Sequence, residues 1–281
     1  AKKHSILYQE LTIDEYLNQK KYSNYFKFNH LYPMAASIWS SPINEIKNYP
    51  FKEFVNFFSN HGLLNIFNRP KWRTVKGGSN DYVRKILNSP NIKSLKGYKA
   101  IIKRTNSGKW KLKFNKLEID YDHVVLAVHS DQVKETLVET KKLDLEFFSN
   151  IKYSKNVVFL HSDSNLMPNN KNVWASWNYI ENKSKISVSY WMNLLQKLDT
   201  DRDFFVSLNP SFEPNKNKTY KRILYEHPIY NFKTFETQKK INSIQGKKNL
   251  WFCGAYLGYG FHEDGIKSGI RVAENLIKIL S

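Results

Sequence analysis

Four residues within a stretch of six, Tyr259, His262, Glu263 and Asp264, carry the side chains best suited to chemistry in this chain of 281 residues. An imidazole or a carboxylate can take a proton as a C–H or N–H bond is oxidised, and a phenol can hydrogen-bond a polar ring edge. Asp264 has a second reading, as the N-cap of a helix. The four sit in a glycine-rich bend: five of the 11 glycines, Gly254, Gly258, Gly260, Gly265 and Gly269, fall between Leu250 and Leu280. Before the bend runs the apolar Leu250-Trp251-Phe252-Cys253. After it, Ile266, Ile270, Ala273, Ile277 and Leu280 recur at helical spacing. Strand, glycine bend and helix together bring backbone close to a phosphate or a flat ring. Glycine has no Cβ to hold a ligand off, and a helix N-terminus presents N–H groups to negative charge.

Other candidates are more isolated. His61, in Asn60-His61-Gly62, reads either as a capping histidine at a helix end or as a catalytic one. His123 and His129 lie six apart on one expected strand and are discounted as ligands. The single Cys253 excludes an internal disulfide and reads as a small buried residue at a strand end. There is no metal-ligand spacing, P-loop or G-x-S-x-G.

The final segment, FCGAYLGYGFHEDGIKSGIRVAENL, resembles the C-terminal flavin-contacting segment of the flavin-containing amine oxidase superfamily. More narrowly, it is similar to a bacterial branch of FAD-dependent oxidoreductases near the phytoene desaturases and protoporphyrinogen oxidases. LYPMAASIWSSP, FFSNHGLL, RPKWRTVKGGSNDYV, YDHVVLAVHSDQ and VWASWNY follow the same branch in the same order. The resemblance implies FAD as cofactor, with hydride transfer to the flavin from an apolar or lipid substrate. It implies cofactor contacts at Gly77, Gly78, Ser79, Lys99, Gly254, Ala255, Gly260, Asp264, Gly265 and Ile266, the last two directing N–H groups to the flavin ring. It also implies a substrate pocket near Met34, Trp39, Trp72, Arg73 and His61, and catalytic roles for His262, Glu263 or Tyr259. The superfamily opens with a G-x-G-x-x-G turn that cradles the pyrophosphate, and no such turn occurs here. The expectation is therefore an N-terminally truncated chain, with a missing N-terminal FAD-binding unit as its partner.

The elements that must position these residues follow from periodicity. Residues 7–60 read as helical, with Thr12 and Glu15 forming a capping box and Phe51, Phe54, Val55 and Phe58 an apolar stripe. A helix is expected from about Asn80 to Leu87, then a meander from Lys99 to Glu118. In the meander, Lys109 to Phe114 alternates lysine with apolar residues. Tyr121 to His129 reads as one buried parallel strand, followed by a helix from Asp131 to Thr140. Strands at 156–161, 173–179, 186–191 and 204–208 suggest a mostly antiparallel sheet. The fold class is α/β with an α+β substrate domain: the C-terminal part of a glutathione-reductase-type FAD-binding fold. Its expected parts are a helical substrate-side region at 1–66, an FAD-domain part at 67–140, a substrate sheet at 141–244 and the FAD-binding segment at 245–281.

Net charge of +19 rests on 44 basic residues, only seven of them Arg, dispersed along the chain. Dispersed lysine argues against specific nucleic-acid binding and suits peripheral contact with an anionic membrane. A basic nucleic-acid or membrane-surface module without catalysis is the alternative function, and a relic that has lost its cofactor half is a third. No apolar run approaches the roughly 20 residues of a membrane span. With one cysteine and no secretory signal, a cytoplasmic location is expected.

Overall fold

The computed structural model describes residues 2–71, 73–138, 144–180 and 187–281, with backbone alone at 2–4. Helices in chain order are α1 (Lys2–Leu7), α2 (Ile13–Gln19), α3 (Asn24–Phe26), α4 (Tyr32–Trp39), α5 (Ile43–Lys47), α6 (Phe51–Asn60), α7 (Ser79–Leu87), α8 (Val133–Thr136), α9 (Met192–Gln196), α10 (Phe232–Ser243) and α11 (His262–Leu280). Strands are β1 (Ile101–Arg104), β2 (Trp110–Phe114), β3 (Leu117–Tyr121), β4 (Val124–Leu126), β5 (Leu137–Val138), β6 (Tyr153–His161), β7 (Trp177–Ile180), β8 (Ser187–Trp191), β9 (Phe205–Leu208), β10 (Thr219–Pro228) and β11 (Leu250–Phe252). The chain divides into two units, residues 1–94 with 153–227, and residues 95–152 with 228–281.

In the first unit the capping box forms as expected. The Thr12 hydroxyl accepts the Glu15 N–H at 3.2 Å, and the Glu15 carboxylate accepts the Thr12 N–H at 2.8 Å. The apolar stripe of α6 is buried at Phe51, Phe54, Val55 and Phe58. Tyr16 stacks on Phe51 with centroids 3.6 Å apart, and Trp39 lies against Tyr49 and Phe57 at 4.5 and 4.7 Å. Aromatic rings at i, i+3 and i+7 thus become the centre of a helical core. The unit also holds a five-stranded sheet of order β10-β6-β9-β8-β7, in which β6, β9, β8 and β7 pair antiparallel. The strand expected at 173–179 is displaced: Lys171–Val173 is a 3₁₀ turn, and pairing starts at Trp177. Ile186 lies outside the described residues.

In the second unit the meander forms a sheet of order β3-β2-β1-β5, with β5 parallel to β1. The alternation in β2 buries Trp110 and Phe114 and turns its lysines outward. Trp110 Nε1 donates to the Lys248 carbonyl at 2.8 Å, tying the meander to the chain just before β11. The long strand expected from Tyr121 to His129 is corrected: Tyr121 ends β3, and only Val124–Leu126 is β4. His123 Nδ1 accepts from Trp251 Nε1, and the His129 N–H bonds the Gln132 side chain at the head of a 3₁₀ turn. Those two bonds, one to β11 and one within the following turn, mark where the extended run is interrupted. The helix expected from Asp131 to Thr140 is also shorter, because the chain becomes extended at Leu137; Glu139 and Thr140 lie outside the described residues. β4 pairs β11 in parallel, and the two form a sheet of two strands.

Candidate functional site

β11 is a fully buried run of Leu250, Trp251 and Phe252, and the Cys253 N–H continues its ladder by donating to the Leu126 carbonyl at 3.0 Å. Burial pushes the Cys253 thiol pKa up, which suits the packing role expected of it. Gln245 pins the strand from outside: its side chain donates to the Phe252 carbonyl and accepts the Phe252 N–H, at 2.7 and 2.9 Å.

Beyond Cys253 the chain turns sharply, and its own side chains fill the space the glycines leave. A Cβ on Gly254 would lie 2.6 Å from the Tyr256 ring, one on Gly258 2.4 Å from the Asp264 carboxylate, and one on Gly260 2.8 Å from the Tyr230 hydroxyl. Gln238, on α10, donates to the carbonyls of Tyr256 and Gly258 at 2.9 and 2.8 Å. The bend is therefore set by internal contacts before any ligand arrives.

Ser268 closes it. Its buried hydroxyl accepts the Gly254 N–H at 2.9 Å and donates to the Gly265 carbonyl at 2.7 Å. A Cβ on Gly265 would stand 3.7 Å from the Ala255 nitrogen, so Gly254-Ala255 and the first turn of α11 are in van der Waals reach. Sequence reasoning missed Ser268, Gln238 and Gln245. The signal for Ser268 was available: Gly265, Ser268 and Val272 form a small-residue face at steps of three and four.

Two expectations about α11 are corrected. Phe261 is the N-cap and Asp264 is the third helical residue, whose carboxylate reaches back to the Phe261 N–H at 3.0 Å. A carboxylate at that position satisfies a terminal donor and complements the helix dipole equally well. The N–H groups assigned to Gly265 and Ile266 are also not at the mouth: Gly265 donates to the Phe261 carbonyl at 3.1 Å, and Ile266 lies a turn inside. The N–H groups at the mouth belong to His262 and Glu263, both exposed.

Gly254, Ala255 and Gly265 are partly open, and Gly260 and Ile266 are exposed. Gly254 and Ala255 lie beside the first turn of α11, at the positive end of the helix dipole. Lys99 pairs with Glu135 at 3.2 Å, just before β1. Ala100 and Ile102 line a hollow of about 330 Å³ that runs along β4 from His123 to Val128.

The remaining candidates belong to the first unit. Gly77 and Gly78 both have positive φ, 80° and 78°, and lead into α7 at Ser79. Met34 is half-buried on α4, Trp39 is buried in the aromatic core, and Arg73 is exposed. Trp72 lies outside the described residues. His61 follows α6 as its C-cap, with Nδ1 2.8 Å from the Phe57 carbonyl. Among the described residues no His, Cys, Asp and Glu cluster could hold a metal.

A buried polar chain in the sheet resembles a nucleophile arrangement but runs the wrong way. His161 Nδ1 accepts the Asp163 N–H at 3.1 Å, which leaves Nε2 to donate to Ser207 at 2.8 Å. The Ser207 and Ser189 hydroxyls share a hydrogen bond, and Ser189 donates to the Leu166 carbonyl. Protons thus point from histidine to serine, so neither hydroxyl is activated. Burial holds the His161 pKa down at about 4, and the cluster serves as a neutral lock between β6, β9 and β8.

No protein-family model matches the sequence, and no curated protein does. Solved structures do. A protein from Exiguobacterium sp. 255-15 assigned as a protoporphyrinogen oxidase matches with TM-score 0.65 at 11% identity, over 95% of this chain and 66% of its own. The CLA-producing fatty acid isomerase of P. acnes matches with TM-score 0.61 at 13% identity, over 95% and 66%. Cyclohexylamine oxidase from Brevibacterium oxydans IH-35A matches with TM-score 0.57 at 9% identity, over 98% and 69%. This chain thus spans 66% of the length of the first two. Such low identity speaks to fold alone, and over nearly its whole length the chain shares the mixed helix-and-sheet fold of these structures.

Proposed function

We propose that this chain forms the flavin-ring side of an FAD-dependent oxidoreductase acting on an apolar, lipid-like substrate. The observation that carries the reading is the Ser268 clamp, which holds Gly254-Ala255 against Gly265 at the mouth of a 19-residue helix. When bound, FAD would supply the redox step, accepting a hydride from a substrate C–H or C–N–H centre as a proton leaves. In this reading Gly254, Ala255, Gly260 and Gly265 would hold the ring edge through close backbone approach, with the exposed Ile266 side chain beside them. The α11 mouth favours the negative charge of the reduced state. His262, Glu263 and Tyr259 stand where a proton could be taken or a ring atom hydrogen-bonded. The hollow beside Lys99 and Ala100 suits the adenine end, and Gly77 to Ser79 are proposed as further cofactor contacts.

The pyrophosphate needs a glycine-rich turn that this sequence lacks, so the reading includes a second, nucleotide-cradling unit. Two surfaces support it. Val125, in the middle of β4, is 41% exposed in a strand whose sequence is apolar throughout. On α11, Ile270 and Ile277 are 51% and 66% exposed. Met34, Trp39, Trp72, Arg73 and His61 remain the proposed substrate side, and the cytoplasm the proposed location. No helix among the described residues is long and apolar enough to cross a membrane.

The test is to isolate the protein from its natural source with whatever it assembles with, and to look for bound flavin by absorbance and mass. The reading expects FAD, diminished by Ile270→Lys through loss of the second unit. A native preparation that is colourless and does not take up added FAD rejects it.

A further inference from the structure

From Leu64 to Lys99 no described residue is buried. The start of this stretch is organised, not merely extended. His61 caps α6, and its ring lies 4.0 Å from Phe57, fixing where the chain leaves the helix. Gly62 has φ +66° and packs so closely on Pro70 that a Cβ there would stand 2.4 Å from the proline ring. Between those two residues the chain goes out and returns. The Asn65 N–H donates to the Gly62 carbonyl at 3.2 Å, Arg69 Nε donates to the Asn65 carbonyl at 2.8 Å, and Asn68 takes a left-handed conformation at φ 55°. A pinched neck thus presents a tip, and the tip carries Ile66 and Phe67, each 81% exposed, with Leu64 beside them.

The charges around the tip are one-sided. Arg69, Lys71, Arg73 and Lys76 follow within ten residues of Ile66, and no Asp or Glu occurs between Glu53 and Asp81. Large apolar side chains held in water by a fixed loop, followed in the sequence by cations with no intervening carboxylate, match a lipid surface of negative charge. The apolar tip enters the acyl boundary while the cations meet the headgroups, and two weak signals together give stable attachment. A nucleic acid would use the cations and have no place for an Ile-Phe apex.

We propose that the loop 62–71 is a membrane-docking element, inserting Ile66 and Phe67 into an anionic bilayer surface. This does not rest on the flavin-ring site, since it concerns neither α11 nor the glycine bend, and the tested positions 66, 67, 71 and 76 lie outside the proposed substrate side.

The test is co-sedimentation of the natively isolated protein with phosphatidylcholine vesicles, with and without phosphatidylglycerol, at low and physiological salt. The wild-type protein is expected to bind the anionic vesicles and to bind the neutral ones far more weakly. The double variant Ile66→Ser with Phe67→Ser is expected to lose about tenfold or more in partitioning, and Lys71→Glu with Lys76→Glu a comparable amount. All four positions are exposed, so thermal melting should stay at the wild-type value and separate lost docking from lost folding. The inference is overturned if the serine variant binds as the wild type does, which would mean diffuse attraction by the +19 chain. Absence of wild-type binding also overturns it, as does a loss of self-association in the serine variant instead of vesicle binding, which would make the tip a protein contact.

Discussion

α6 and α11 carry the same sequence pattern and meet opposite fates. In α6 the apolar stripe lies inward, with Phe51, Phe54, Val55 and Phe58 buried among Tyr16, Trp39 and Tyr49. In α11 the stripe of Ile266, Ile270, Ile277 and Leu280 is exposed, and the buried residues are Ser268 and Val272. Periodicity says that a face will be covered; it does not say by what. The inward face of α11 is chosen by the need for close approach to Gly254-Ala255, which only a small-residue face permits.

This contrast predicts unequal costs for similar substitutions. Phe54→Ala should destabilise by about 3–5 kcal/mol, the range for emptying a packed aromatic site. Chemical denaturation measures it, and a loss below about 1 kcal/mol would mean the α6 core is looser than its burial indicates.

The next effect is one of pH. His161 is neutral when folded, with its pKa held near 4 by burial, and ordinary when unfolded. The unfolded state therefore binds the extra proton, so stability is complete above about pH 6.5 and falls as pH drops towards 4. The total loss is on the order of 3 kcal/mol. Denaturation midpoints for the wild type and His161→Gln between pH 7 and 5 should converge as pH falls; parallel curves would contradict the burial account.

Ser268→Ala leaves the Gly254 N–H without its acceptor and should cost about 2 kcal/mol. Hydrogen exchange at Gly254 gives a local readout, expected to rise before global stability is lost. Smallest is Ile270→Ser, expected within about 0.5 kcal/mol of the wild type for this chain alone, because that residue is 51% exposed. A large loss would mean that the exposed stripe already has a partner.

The sequence showed the local devices well. The Thr12–Glu15 capping box, the Gly62 helix stop, the α7 boundaries and the inward Trp110 and Phe114 of β2 all rest on neighbour chemistry that the residues spell out. Less legible were features decided by which partner each side chain takes, whether across the sheet or within the next turn. The strand expected from Tyr121 to His129 shrank to three residues because His123 and His129 are engaged elsewhere. Asp264 caps from inside the helix because its carboxylate fits against Gly258. Ser268 looked like an ordinary helix serine because its partners lie 14 and 3 residues upstream, across the bend.

The central claim is that the bend clamped by Ser268 receives the edge of a flavin ring. The most direct measurement is FAD binding by the natively isolated protein, followed by flavin fluorescence in the wild type and Ser268→Ala. The account predicts that the wild type quenches and retains the flavin, while the variant, still folded, binds at least about tenfold more weakly. Equal retention by both, or none by either, would contradict it.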